Sequence, residues 1–346
     1  DGVLVGDLLD AVQEGATTAS LTFLAVIRDT FVDPTGDEEV SQGDQLVNDL
    51  TVSATVRDNA DTSVTVGTEE DTSSAVIDIP FGQVQQKTVA FINGVAPAPD
   101  LVISAGDVVT FSVIYVAPEG SYEDLQLDDF LPLPVFDATE LTTFVDGAGA
   151  GTPPPAGEVH FGAATSDIYF SEGGAAPALN VNATSNAVAF DFGTFSVDPR
   201  AEITIELLFS VTVEDAIFGD GLLLTNQVSA QEANTDGDGA VSTAIAQFIV
   251  GQPELNITKG VIASDQGTLT ETAGPVAFTA PGSAGQRWTI GDIIGSDALA
   301  VTPVDANLTG VDAGDLVSFA IVIENTGSAP NGVFDLRISD SLPAGF

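Results

Sequence analysis

Hydrophobic and polar positions alternate along much of the chain with a period of two, the pattern of strands buried on one face. The clearest run is 203–213. There Ile203, Ile205, Leu207, Phe209, Val211 and Val213 share one face, while Thr204, Glu206, Ser210 and Thr212 share the other. The same alternation predicts strands near 87–92, 108–116, 124–130, 186–194, 202–213, 222–230 and 241–250. Seven strands with turn-rich connections predict an antiparallel sandwich. A Gly/Ala/Pro-rich stretch at 146–181 reads as a long insertion between strands, and residues 6–13 read as one short helix.

The pattern also repeats. "SAGDVVTFSVIYVAPEGSYEDLQLDDFLP" (104–132) matches "DAGDLVSFAIVIENTGSAPNGVFDLRISDSLP" (312–343). Ala-Gly-Asp opens both. Val109, Phe111, Val113 and Tyr115 in the first correspond to Val317, Phe319, Ile321 and Ile323 in the second, and Asp129-Phe130-Leu131-Pro132 corresponds to Asp340-Ser341-Leu342-Pro343. "LTFLAVIRD" (21–29) matches "LLFSVTVED" (207–215), and the stretch at 46–61 matches 223–238, bringing Asn48 over Asn226. A third pairing aligns Lys87 with Lys259, the two lysines of the chain. These pairings tile. Residues 1–83 read as the C-terminal half of a β-sandwich repeat, and 84–252 as a complete repeat with its insertion near 133–185. Residues 253–346 read as the N-terminal half of a further repeat. The expectation is all-β: tandem immunoglobulin-like antiparallel β-sandwich repeats, a window onto a longer array. Gln252-Pro253 suits a linker between repeats.

Composition narrows the function classes. Fifty-one acidic residues against seven basic ones give a net charge of −44. Such a surface repels phosphate and anionic lipid, so no nucleic acid is expected as a partner, and it attracts divalent cations. It also serves plain solubility in a salty medium. The chain has no Cys, which excludes disulfides and thiolate metal sites. No apolar run approaches the ~20 residues of a membrane span, so no membrane span is expected. The chain does not begin with Met, so the lack of a leader leaves secretion open. One histidine, His160, excludes two-histidine zinc motifs. Neither Gly-x-Ser-x-Gly nor a phosphate-binding loop occurs. No enzyme is expected. His160 reads as a surface residue and Trp288 as core.

Two acidic turns are candidate calcium ligands. Asn234, Asp236 and Asp238 place oxygens at alternate positions ahead of Gly239, as at the start of a calcium loop, but Ile245 stands where an EF-hand would have its glutamate. Asp58 and Asp61 form the matching turn. Hairpin turns prefer the same residues for their own reasons. Asp33, Asp37, Glu38 and Glu39 read as a solvated loop.

"AGDLVSFAIVIENTGSAPNGVFDLRISDSLPAGF" resembles a tandem prokaryotic surface-protein repeat of unknown function. Its hallmarks are a strand, Asn-Thr-Gly, and an Asp-x-Leu-Pro-x-Gly ending. The middle repeat is similar to the related fimbrial isopeptide-forming D2 domain. The resemblance implies an extracellular, cell-surface stalk, adhesin, filament or cell-envelope layer component. Its partners would be neighbouring repeats of the same chain, a homo-polymer or envelope components. The alternative is a carbohydrate- or ligand-binding adhesin module with the insertion as its binding loop. The resemblance also implies a self-formed amide. Lys87 would attack Asn226, with Asp129 kept protonated to polarise the amide. Lys259 and Asp340 would be a partial set, and Asn48 another. From the residues alone, a lysine sharing a strand face with Val89 and Phe91 is unusual, and burial would lower its pKa. The plainer alternative has Lys87 snorkelling at a strand edge while Asn226 and Asp129 serve turns.

Overall fold

The structure, a computed structural model, describes residues 20–32, 39–58, 60–145, 152–197, 201–215, 218–270, 307–329 and 332–346. The expected helix at 6–13, Trp288 and the acidic residues Asp33, Asp37 and Glu38 lie outside these residues.

The middle of the chain folds as the expected antiparallel sandwich. One sheet has five strands in the order β3 (Gln83–Ile92), β5 (Val108–Ala117), β11 (Ile203–Thr212), β8 (Glu158–Phe161) and β7 (Thr143–Val145). The other has six, in the order β4 (Val102–Ile103), β13 (Gly239–Val250), β12 (Leu222–Ala233), β6 (Tyr122–Phe130), β10 (Ala187–Phe195) and β9 (Ala178–Asn182). All seven strands read from the alternation are present. Two short pairings, β4 with β13 and β7 with β8, are parallel.

Between the sheets lies a continuous apolar core in which Phe111 touches Phe136, Phe209 and Phe248, at ring separations of 5.4–6.0 Å. These offset and edge contacts are favourable geometries for buried rings. The alternation in β11 holds in full: Ile203, Ile205, Leu207, Phe209, Val211 and Val213 are all buried.

The Gly/Ala/Pro-rich stretch builds structure that its composition hides. It supplies β8 and β9 and a short helix, α1 (Asp167–Ser171), capped by the Ser166 hydroxyl. β8 pairs with β11 and β9 with β10, so the insertion lengthens both sheets. Its aromatic residues turn inward: Phe161 packs against Phe144, Tyr169 and Phe170. These short strands escape a periodicity reading because each is bounded by turns after three to five residues. His160, expected at the surface, is half-buried on β8 and bonded to Glu158 at 2.9 Å.

The flanking segments are smaller. β1 (Gln45–Arg57) and β2 (Thr65–Asp78) form a long hairpin. Residues 21–28, matched in sequence to β11, form no strand; among the described residues nothing pairs with them. At the other end β14 (Leu255–Ser264) pairs with β17 (Val317–Asn325), and β15 (Thr268–Thr270) with β16 (Asn307–Thr309). Residues 332–346 are irregular.

Asn186 holds the turn that follows β6. It is buried, adopts a left-handed φ of 50°, donates to the Leu131 and Phe136 carbonyls and accepts from the Ala138 amide. This anchors Phe136 over the core. Asn186→Ala leaves three buried backbone groups unpaired, so stability should fall by at least about 2 kcal/mol in denaturant unfolding. A loss within error would mean the turn is held by packing alone.

Candidate functional site

Lys87 lies on β3, an edge strand, yet its side chain is fully buried. The local register explains this. The pairing of β3 with β5 shifts between Val84 and Gln86 and again between Val89 and Phe91. Such bulges re-aim side chains, and between the two shifts Val84, Lys87 and Val89 all turn inward. Lys87 stands opposite Val113, and its Nζ lies 5.3 Å from the centre of the Phe111 ring and 5.4 Å from that of Phe209.

The facing sheet supplies the partners. Asp129 on β6 and Asn226 on β12 are both fully buried. Asp129 is registered opposite Val228, which places Asn226 two residues along the neighbouring strand on the same face. Lys87 Nζ donates to Asp129 Oδ2 across the gap between the sheets. Asp129 Oδ1 and both polar atoms of the Asn226 amide lack hydrogen bonds of good geometry, although the amide lies close enough to Asp129 to favour its carboxylate slightly. The three sequence-predicted residues therefore meet in one dry site.

Burial dominates its electrostatics. It lowers the pKa of Lys87 and raises that of Asp129, and their mutual attraction opposes both shifts without cancelling them. Removing two ions from water costs several kcal/mol each. Attraction at close range returns about 4 kcal/mol at an effective dielectric near 20, and an ammonium over an aromatic ring adds ~2 kcal/mol at most. Burial thus weakens the charged form of both groups, and the pair lies against an amide that lacks a hydrogen bond of good geometry.

The same lysine geometry recurs on β14. Lys259 stands opposite Ile321, two residues from Phe319, as Lys87 stands opposite Val113, two residues from Phe111. Its Nζ is 5.1 Å from the Phe319 ring centre and 2.6 Å from Asp340 Oδ1. This pair is 37% and 38% exposed, against zero for Lys87 and Asp129. Asn48 sits on β1 opposite Ala75, as Asn226 sits opposite Ala246, but it is exposed.

The candidate calcium residues occupy hairpin turns. Asn234 Oδ1 accepts the Asp238 amide, and Asp58 Oδ1 accepts the amides of Ala60 and Asp61. Asp61 caps Ser63, and Asp236 lies between Asn234 and Gly237 in the β12–β13 turn. Among the described residues no three acidic or histidine side chains converge as an ion cage. Glu39, expected in a solvated loop, forms an isolated bridge with Thr30.

Glu232 was not singled out from the sequence, although it shares the inward face of β12 with Asn226, Val228 and Ala230. It accepts from the Tyr115 hydroxyl and, at 3.0 Å, from the Gly82 amide. Gly82 leaves no room for a Cβ against Tyr115. These contacts tie the entry to β3 onto β12. Burial pushes the Glu232 carboxyl up from 4.5 to about 7, with the Gly82 N–H opposing the shift. A pKa raised by folding contributes stability that is complete below the unfolded value and disappears as pH rises through the folded one. The melting midpoint should therefore fall between pH 5 and pH 8, and Glu232→Gln should flatten that part of the profile. An unchanged slope would remove Glu232 from the pH response.

No protein-family profile and no curated protein matches the chain. Solved structures overlap it loosely. The C-terminal domain of the Streptococcus pyogenes antigen I/II-family protein AspA aligns at 11% identity and a TM-score of 0.31, covering 52% of each chain. BcpA, the major pilin subunit of Bacillus cereus, aligns at 10% identity and 0.29, covering 80% of this chain and 66% of BcpA. ACE19, the collagen binding subdomain of Enterococcus faecalis surface protein ACE, aligns at 12% and 0.24, covering 50% of this chain and 99% of that one. The chain thus spans about half of the AspA domain.

Proposed function

We infer that this chain is a structural segment of a prokaryotic cell-surface protein, and that its complete sandwich is fastened by an amide between Lys87 and Asn226. The observation that supports this reading is the dry meeting of Lys87, Asp129 and Asn226 across the two sheets, with the Asn226 amide unsatisfied. A purely structural core gains nothing from three polar groups left partly unpaired, because each costs free energy there.

The chemistry follows from the placement. The neutral Lys87 amine attacks Cγ of Asn226. Protonated Asp129 donates to the amide oxygen and stabilises the negative charge that develops there. The new C–N bond forms, the Cγ–Nδ2 bond breaks, and the nitrogen leaves as ammonia. Nothing is oxidised or reduced, and the reaction turns over once. The product joins β3 to β12, and so one sheet to the other.

The intact mass of the chain should be one ammonia below the sequence mass. Lys87→Ala and Asn226→Ala should each abolish that deficit, and Asp129→Ala should block it with both reacting partners present. The cross-link closes a loop of well over a hundred residues, so its loss should lower stability by about 4–5 kcal/mol on a chain-entropy estimate. An unreduced wild-type mass rules the amide out.

Divalent cations belong to the same reading. Loose binding at the turns carrying Asp58, Asp61, Asp236 and Asp238 would relieve part of the −44 charge. A chelator at fixed ionic strength should lower the melting midpoint, and an unmoved midpoint refutes ion dependence.

The ligand-binding alternative finds less support. The insertion spends its aromatic side chains on its own core. The cavity it borders, about 370 Å³ between Phe130, Val181 and Ala187, has no aromatic floor beyond Phe130.

A further inference from the structure

The outer face of the six-stranded sheet carries a shallow trough. Phe130 on β6 is registered opposite Ala187 on β10, and Ala187 is registered opposite Asn182 on β9. Two residues along, Asp128, Ala189 and Asn180 form a second row of the same kind. Residues opposite one another on antiparallel strands point to the same face. Two alanines therefore floor the trough, with Phe130 and Asp128 on one side and Asn182 and Asn180 on the other. All six line one cavity of about 370 Å³. Adjacent strands lie ~4.8 Å apart, so Phe130 and Asn182 stand ~10 Å apart across the alanine row, room for one sugar ring. The Phe130 side chain is 43% exposed.

Asn182 also opens the triplet Asn182-Ala183-Thr184, the Asn-x-Thr pattern of N-linked glycan acceptors. It falls at the end of β9, an edge strand, where the chain turns into β10. Residues 182–185 are all exposed. Asn182 Oδ1 accepts the Thr184 amide at 3.0 Å and the Ser185 amide at 3.2 Å. This Asx turn holds the side chain by its oxygen. It leaves Nδ2, the atom to which a glycan is joined, without a hydrogen-bond partner among the described residues. The like triplets at Asn256 and Asn307 lie inside strands, paired to β17 and β15, where the backbone is held extended.

We propose that Asn182 is the attachment site of an N-linked glycan whose first sugar lies in the trough against Phe130. The donor is an activated glycosyl phosphate, delivered by a transferase on the outer side of the membrane. The bond from Asn182 Nδ2 to the anomeric carbon forms, and the bond from that carbon to the phosphate oxygen breaks. The phosphate leaves with the bonding pair, and the amide proton passes to a base of the transferase. Nothing is oxidised or reduced. A tethered sugar needs no affinity of its own, so one aromatic wall suffices. Its C–H face covers the Phe130 ring, and its hydroxyls meet Asp128 and Asn180. The inference rests on the surface location read above and not on the amide.

The test uses the full chain taken from the cells that make it. Cleavage before aspartates releases residues 167–190 as one peptide containing Asn180, Asn182 and Asn186. Electron-transfer fragmentation should place whole monosaccharide units on Asn182. Asn182→Gln and Thr184→Ala should each remove that increment, whereas Thr184→Ser and Asn180→Gln should keep it. A peptide found only at its plain mass overturns the proposal, as does an increment that survives Asn182→Gln. Protease digestion of intact cells releases the chain only if it lies outside, which separates a wrong location from an unused acceptor. In the glycoprotein the Phe130 ring should shift the first sugar's proton resonances upfield, and Phe130→Ala should abolish the shift but keep the increment. Unshifted resonances refute the seat in the trough and leave the attachment standing.

Discussion

The exclusion of water from the space between the two sheets governs this protein. Hydrated, Lys87 and Asp129 would be an ordinary ion pair of little consequence. Sealed between Phe111, Phe209 and the facing sheet, both are pushed toward their neutral forms, the lysine pKa lowered and the aspartate pKa raised. The fold therefore acts on the chemistry indirectly. Packing sets the dielectric, and the dielectric biases the protonation state. The Lys259–Asp340 pair has a similar local geometry but is 37% and 38% exposed.

Position within the sheets gives the site its leverage. β3 is an edge strand of one sheet, and β12 lies inside the other between β6 and β13. Glu232 adds a second tie beside it by holding the Gly82 amide and the Tyr115 hydroxyl. The entry strand is thus held to the facing sheet twice, once by Lys87 on Asp129 of β6 and once by Glu232 of β12, whose carboxyl is pushed up to about 7. Both ties depend on polar side chains that occupy apolar faces of strands.

Much of this was legible in the alternation. The seven main strands and the inward face of β11 follow from parity, which also marked Lys87 as unusual; the meeting of Lys87 with Asp129 and Asn226 was implied only by the resemblance to the isopeptide-forming domain. What escaped did so for physical reasons. β7, β8 and β9 are too short to establish a period, and their burial comes from contacts distant in sequence. Residues 21–28 match β11 in sequence but find no partner among the described residues, and a strand is defined by pairing rather than by its own pattern. Glu232 was visible by the rule that flagged Lys87, an ionisable residue on an apolar strand face, but in a chain with 51 acidic residues one more carried no contrast. In the acidic turns the composition suggests ligands, and one oxygen each of Asn234 and Asp58 also accepts amides of its own turn.

The insertion enters both sheets at the edges farthest from β3 and β4. Strands β7 and β8 extend one sheet beyond β11, and β9 extends the other beyond β10, while Lys87 sits at the opposite border. Changes in β7 and β9 fall at the borders opposite Lys87, whereas Phe136, also within the insertion, packs on Phe111 and belongs to the core. The outer border of each sheet, away from Lys87, is therefore the region of this fold where changes in sequence and length disturb the fewest core contacts. The architecture separates the part that can drift from the part that must not.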